Sequence, residues 1–299
     1  MSNKKFFKFI KPVYDFLYFL IYITGTLAAW IIPYPVSYFI VTNFSKLWYS
    51  LGINVKLTKK NVSRVLGIDI NDPKVTDISK KIYIGFAKNI VDFLKNRIIS
   101  KEQFKENIKL IGVEHLEKAL KDGKGIVIFT AHLGNFEWGA ARIGVEGFKI
   151  WGVGLSKNNK LIDNFYEKNR KNKCLKTIYP NKMLNVFRIL KNNEIVAIPT
   201  DWDSTGTAKE YNFFNHKAKL PSGAVQIALT SGAKLIPSFI IRDNKYHHCQ
   251  VICPPVELET EGKKEELIKK NMYKIIPIIE EYVRKNIDQW FLFHDIWVD

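Results

Sequence analysis

A histidine and a glutamate five residues apart stand in the stretch His132-Leu133-Gly134-Asn135-Phe136-Glu137, directly after the apolar run Ile126-Val127-Ile128-Phe129-Thr130. A carboxylate hydrogen-bonded to one imidazole nitrogen fixes the tautomer, and the other nitrogen then takes a proton from a hydroxyl. Such a pair turns a substrate alcohol into a nucleophile. On one continuous helix this spacing points the two side chains in different directions; across a strand-to-helix turn they can meet. Gly134-Asn135 supplies the turn and Asn135 an N-cap for a helix through Phe136-Glu137-Trp138, so Glu137 is expected as the hydrogen-bond partner of His132.

These residues need a strand end to project from. The run Ile126–Thr130 follows the turn Gly123-Lys124-Gly125, and similar runs recur at Ile150–Leu155, Ile195–Pro199, Leu235–Ile241 and Gln250–Ile252. Helical periodicity lies between most of them, and also in Asp77–Asn96, Val113–Leu120 and Lys263–Arg284. Alternation of this kind predicts an α/β fold with a mostly parallel central sheet flanked by helices. In such a sheet, ligands bind in the crevice at the carboxyl ends of the strands, where His132 and Glu137 fall.

Other chemistries lack their parts. The chain has no Gly-x-Ser-x-Gly elbow and no phosphate loop, and Gly152-Val153-Gly154 begins a dinucleotide fingerprint that is not completed. Cys174, Cys249 and Cys253 show no Cys-x-x-Cys spacing, which suits a reducing compartment. His247-His248-Cys249-Gln250-Val251-Ile252-Cys253 has no second ligand pair. It is therefore read as a β-strand, and no metal is expected.

The charge is +17, from 46 Lys and Arg against 29 Asp and Glu in 299 residues. That excess favours anionic partners. The basic residues are scattered among apolar runs without a recognition motif, so nucleic acid is not expected. Residues 13–32 are almost wholly apolar and about long enough to cross a bilayer. Lys4, Lys5, Lys8 and Lys11 precede them, and Tyr34 and Trp48 suit an interfacial belt. Lysines on both flanks oppose a full crossing, so the helix is expected to lie in or re-enter the cytoplasmic leaflet, with residues 36–51 either on the same surface or packed on the domain. Residues 1–52 are thus expected as a membrane-anchoring segment and 53–299 as the α/β domain.

The motif resembles the H-x4-D/E motif of the lipid A biosynthesis (lauroyl/myristoyl) acyltransferases, within the broader lysophospholipid and glycerol-phosphate acyltransferase superfamily. The Gly-Asn-Phe-Glu form is the more specific one. The resemblance extends through Leu161-Ile162-Asp163 to Arg170, Asp201-Trp202-Asp203, Phe213-Phe214, Pro237 to Arg242, and Trp290 to Trp297. Trp202 stands where a glutamine is usual, Asn215 where a glycine follows the paired phenylalanines, and Leu220 where a threonine is common.

The resemblance implies that His132 is a general base with Glu137 as its partner. It implies that Arg170 holds substrate phosphate or the reacting acyl group, and that Asn135, Asp201 and Arg242 contribute to substrate binding. The implied reaction moves an acyl chain from an acyl carrier protein or coenzyme A thioester directly onto a hydroxyl of a lipid A precursor. No cofactor is needed, and the domain faces the cytoplasm at the inner membrane. The alternatives are another acceptor, such as a phosphatidylinositol mannoside or a lysophospholipid, and a membrane-surface binding protein without catalysis.

Overall fold

The computed structural model of the chain describes residues 2–243 and 246–298, with side chains from residue 11 onward. Lys4, Lys5 and Lys8 therefore have side chains outside the described residues. Four helices come first: α1 (Ser2–Ile31), α2 (Tyr34–Ser50), α3 (Val55–Leu66) and α4 (Pro73–Lys95). The α/β part follows as α5 (Lys101–Asn107), β1 (Ile108–Ile111), α6 (Val113–Leu120), β2 (Ile126–Thr130), α7 (Phe136–Val145), β3 (Ile150–Val153), α8 (Lys160–Asn172), β4 (Leu175–Ile178), α9 (Asn185–Lys191) and β5 (Ile195–Pro199). After these come β6 (Lys209–Phe213), β7 (His216–Leu220), α10 (Gly223–Ser231), β8 (Lys234–Arg242), β9 (His248–Ile252) and α11 (Lys264–Lys285).

Seven strands form one sheet in the order β1-β9-β8-β2-β5-β3-β4. The five from β8 to β4 are mutually parallel, while β9 is antiparallel to β8 and β1 parallel to β9. The expected α/β fold with a mostly parallel sheet is what forms. The reversal at β9 has a simple cause, since β8 and β9 are joined by a short connection without the crossover helix that a parallel pair requires. The run at His248–Ile252 is a strand, with His248, Gln250 and Ile252 buried on one face.

Strand β2 is apolar throughout because both its faces are covered. Val127 and Phe129 join a core with Phe239, Ile275 and Ile279, while Ile126 and Ile128 pack on the other face with Trp138 and Ile143. Burying each such side chain contributes about 1.5–3 kcal/mol. Gly125 (φ +69) admits the chain to β2, and a Cβ there would lie 2.7 Å from the Glu194 carbonyl oxygen.

Helix α4 begins earlier than its apolar stripe predicts, because Asp72 caps it through the Lys74 N–H at 2.7 Å and Pro73 occupies the first turn. Helices α1 and α2 dock on α4 through polar contacts. Trp30 Nε1 donates to the Leu94 carbonyl at 2.9 Å, Lys95 Nζ to the carbonyls of Ala29 and Ile32, and Tyr38 Oη to Asp92 at 2.6 Å. Residues 11–31 form the one helix among the described residues that is long and apolar enough to cross a membrane. Helix α2 has two faces. Ser37, Tyr38 and Ser45 are buried, while Phe39, Ile40, Phe44 and Leu47 are exposed. Tyr34 and Trp48 are half-buried and meet Tyr38 and Tyr83 edge-on.

Candidate active site

The register of two neighbouring strands builds the site. Thr130 of β2 pairs with Pro199 of β5, and the same offset carried two residues further sets His132 beside Asp201. Thr200 continues the pairing by donating its backbone N–H to the Thr130 carbonyl at 2.8 Å. His132 Nδ1 lies 2.8 Å from Asp201 Oδ1, and Asp201 Oδ2 accepts the backbone N–H of His132 at 2.8 Å and Trp290 Nε1 at 2.9 Å. The carboxylate on the imidazole is thus Asp201, not the expected Glu137. Two parallel strand ends come closer than the two sides of one turn.

Asp201 is fully buried, which opposes its charge. The His132 imidazolium charge and hydrogen bonds from His132 and Trp290 outweigh burial and hold it below the usual carboxylate range. Burial likewise opposes protonation of His132, but the charge and hydrogen bond of Asp201, with Glu137 adding to them, raise it above its ordinary 6.5. His132 Nε2 has no hydrogen-bond partner among the described residues.

The C-terminal stretch fastens this loop. The Phe291 N–H donates to the His132 carbonyl at 2.8 Å and the Gly134 N–H to the Gln289 carbonyl at 2.9 Å. Gly134 takes φ +57, and a Cβ there would lie 2.0 Å from the Ile240 carbonyl oxygen, so glycine alone fits.

Glu137 faces Arg170. Arg170 Nε donates to Glu137 Oε2 at 3.0 Å and Nη2 to Oε1, while Nη1 reaches Thr177 Oγ1 at 3.2 Å. Burial raises the Glu137 carboxyl, but the charge and hydrogen bonds of Arg170 prevail and hold it below the usual range. The arginine expected to meet substrate is therefore largely committed to a bidentate pair, with side-chain exposures of 13% for Arg170 and 23% for Glu137. Glu137→Gln strands a mostly buried guanidinium, with Glu167 at 3.8 Å as its remaining counter-charge. A loss of about 1–3 kcal/mol in unfolding free energy by denaturant titration is expected, and a change below about 0.5 kcal/mol would contradict it.

Asn135 caps α7 by accepting the Trp138 N–H at 3.2 Å, and its Nδ2 donates to Asp92 Oδ2 at 3.0 Å. Arg242 converges on the same carboxylate, with Nη2 2.7 Å from Asp92 Oδ2 and from Asn89 Oδ1, and Nη1 2.8 Å from Tyr38 Oη. Asn89 Nδ2 in turn donates to the Gly134 carbonyl at 2.9 Å. Arg242, implied as a substrate ligand, is thus enclosed in a network that ties α2 and α4 to the His132 loop, because a guanidinium can satisfy several buried acceptors at once.

Two cavities meet at His132. The larger, about 780 Å³, runs between α1, α2 and α4 and is lined by Ile21, Phe44, Ile90, Leu94 and Phe291 among others. The smaller, about 280 Å³, lies over the ends of β3, β4 and β5 and includes Lys157, Lys176 and Thr177. His132, Phe136, Glu137, Lys157, Arg170 and Trp202 border both, and Asn135 borders the larger. Chemically, this is a polarised imidazole at the junction of two mainly apolar chambers that share the charged groups Glu137, Lys157 and Arg170, with Lys176 added in the smaller one. The roles of Trp290 as a second donor to Asp201 and of Lys157 as a cavity wall carry no local sequence signal.

The chain is similar to phosphatidylinositol mannoside acyltransferases from two strains of Mycobacterium tuberculosis. One is 27% identical over 195 residues, covering 60% of this chain and 59% of the relative. The other is 25% identical over 193 residues with the same coverage. The matched part thus spans 59% of the length of these relatives. Among solved structures, the 1-acyl-sn-glycerophosphate acyltransferase PlsC of Thermotoga maritima aligns with 82% of this chain and 97% of its own, at 12% identity and a TM-score of 0.39. The family model of the bacterial lipid A biosynthesis acyltransferases matches residues 4–298, nearly the entire length, and the chain belongs to that family.

Proposed function

We propose that this chain is a membrane-associated O-acyltransferase that moves a fatty acyl group from a thioester, on acyl carrier protein or coenzyme A, to a hydroxyl of a glycolipid. The lipid A precursor is the first candidate acceptor. The observation that carries the reading is the His132–Asp201 pair, with a free Nε2 at the junction of a large apolar cavity and a smaller one that Lys157 and Lys176 border, in a chain of this family.

In this reading His132 Nε2 removes the proton of the acceptor hydroxyl as its oxygen attacks the thioester carbonyl carbon. The backbone N–H groups of Phe136 and Glu137 in the first turn of α7, at the positive end of the helix, stabilise the oxyanion. The tetrahedral adduct collapses, the C–S bond breaks, and the departing thiolate takes the proton from His132. No acyl-enzyme, metal or cofactor takes part. Asp201 holds the Nδ1–H tautomer, while Glu137 and Arg170 brace the shared wall. Lys157 and Lys176 meet phosphate groups of donor or acceptor, and α1 with the exposed face of α2 rests in the cytoplasmic leaflet of the inner membrane. The likeness to the two mycobacterial relatives favours a second acceptor, a phosphatidylinositol mannoside. The intact imidazole–carboxylate pair speaks against a binding protein without catalysis.

The test is mass spectrometry of lipids after incubating the purified chain in detergent with acyl thioesters and either a lipid A precursor or a phosphatidylinositol mannoside. An acceptor heavier by one acyl group is expected. Absence of acylated product from both acceptors, with the protein folded, would sink the proposal.

A further inference from the structure

The wall between the two cavities carries a pair of rings that the proposed proton transfer does not use. Trp202, one residue beyond Asp201, stacks on His294 with centroids 3.8 Å apart and planes 6° from parallel. The Trp202 ring also meets the His132 ring edge-on at 6.1 Å. Trp202 borders both cavities and His294 the larger. Stacked face to face, the two rings turn only their outer faces and edges to the cavities, beside the imidazole that would take the acceptor proton.

The backbone holds His294 in place and leaves its ring uncommitted. Buried Asn61 donates to the carbonyls of Leu292 at 2.9 Å and His294 at 3.3 Å, and accepts Trp297 Nε1 at 2.7 Å. Neither ring nitrogen of His294 has a hydrogen-bond partner among the described residues, and the residue is exposed. Partial burial and the nearby charge of His132 hold its pKa below 6.5. A neutral imidazole offers one donor and one acceptor.

We propose that Trp202 and His294 form a platform for a sugar ring of the acceptor, setting one of its hydroxyls against His132 Nε2. The inference rests on the glycolipid reading above and names the part of the acceptor that is recognised. A pyranose has a face of C–H groups that packs on an aromatic surface and a rim of hydroxyls that a neutral imidazole can hydrogen-bond. A fatty chain would gain nothing from the imidazole, and a glycerol backbone has no ring to lay on the stack.

Steady-state kinetics with a lipid A precursor as the sugar-bearing acceptor and a lysophosphatidic acid as the sugar-free one test this in wild type, Trp202→Leu, Trp202→Phe, His294→Ala and His294→Gln. The KM for the sugar-bearing acceptor is expected to rise about tenfold in Trp202→Leu and His294→Ala, and less in Trp202→Phe and His294→Gln. The KM for the thioester should stay put. An unchanged acceptor KM in Trp202→Leu and His294→Ala overturns the platform. So does a rise in both KM values together with a lowered unfolding midpoint, which marks a structural role. Tryptophan fluorescence quenching by the lipid A precursor without thioester separates the two proposals. Quenching that Trp202→Leu abolishes supports the platform even where no acyl group is transferred, and quenching equal to that by lysophosphatidic acid rejects it.

Discussion

Replacing His132 with alanine is expected to lower acyl transfer by about 10²–10⁴-fold, the usual contribution of a positioned general base. The hydroxyl of a sugar is a poor nucleophile while it keeps its proton, and no other described side chain offers a basic nitrogen polarised by a buried carboxylate at this junction. His294, the nearest alternative, is held below its ordinary pKa and lacks such a partner. Folding should survive the substitution. Asp201 keeps two of its three hydrogen bonds, from the His132 backbone N–H and Trp290 Nε1, since neither belongs to the lost side chain. The remaining loss is on the order of 1 kcal/mol. The measurement is turnover by the mass-spectrometric assay alongside thermal unfolding. Near-wild-type turnover would remove His132 from the mechanism, whereas a collapsed unfolding midpoint would make the residue structural.

The parts of the site written contiguously in the sequence were legible there, and the parts assembled by register were not. Strand β2 is an unbroken apolar run after a glycine turn, and His132 and Asn135 follow it within one turn. The strand end, the cap and the helix start could therefore be read from residue types alone. The partner of the imidazole could not, because Glu137 is near in sequence while Asp201 is near in space. Both residues stand two positions past their strand ends, after Thr130 and Pro199. A single sequence does not say that β2 and β5 are neighbours. The edge strands β1 and β4 were missed for another reason. Each is four residues long and mixes apolar with charged positions, as in Leu175-Lys176-Thr177-Ile178, so neither a continuous run nor a helical period marks it. The hairpin of β6 and β7 turns through Phe214 (φ +50) and Asn215 (φ +63), without the Asn-Gly pair that usually announces such a turn. Asn215 tolerates the left-handed region. Arg242 is implied as a substrate ligand by resemblance, and only the fold shows it sealed against Asp92.

Asp201→Asn should cost nearly as much as losing the histidine, about 10²–10⁴-fold in kcat/KM, and should also move the pH profile. The substitution is nearly isosteric, so its effect isolates charge and hydrogen-bond direction. In the wild type, Oδ2 accepts from two donors, the His132 backbone N–H and Trp290 Nε1, and Oδ1 faces Nδ1. An asparagine satisfies both donors only by turning its oxygen toward them, which presents its NH₂ group to Nδ1. Nδ1 must then accept, the proton moves to Nε2, and the nitrogen facing the substrate can no longer act as a base. The reverse orientation would set the NH₂ against two donors in a fully buried site. For the pH profile, the base works only when His132 is neutral, so kcat/KM should rise with pH through a midpoint above 6.5 in the wild type. Removing the Asp201 charge withdraws the main stabiliser of the imidazolium against its burial, so the residual activity of the variant should rise through a midpoint at lower pH. Profiles of both proteins across roughly pH 5 to 9, the range in which histidine titrates, measure this. A midpoint that stays in place, or moves toward higher pH, would show that Asp201 is not what sets the charge of the base, however large the fall in rate.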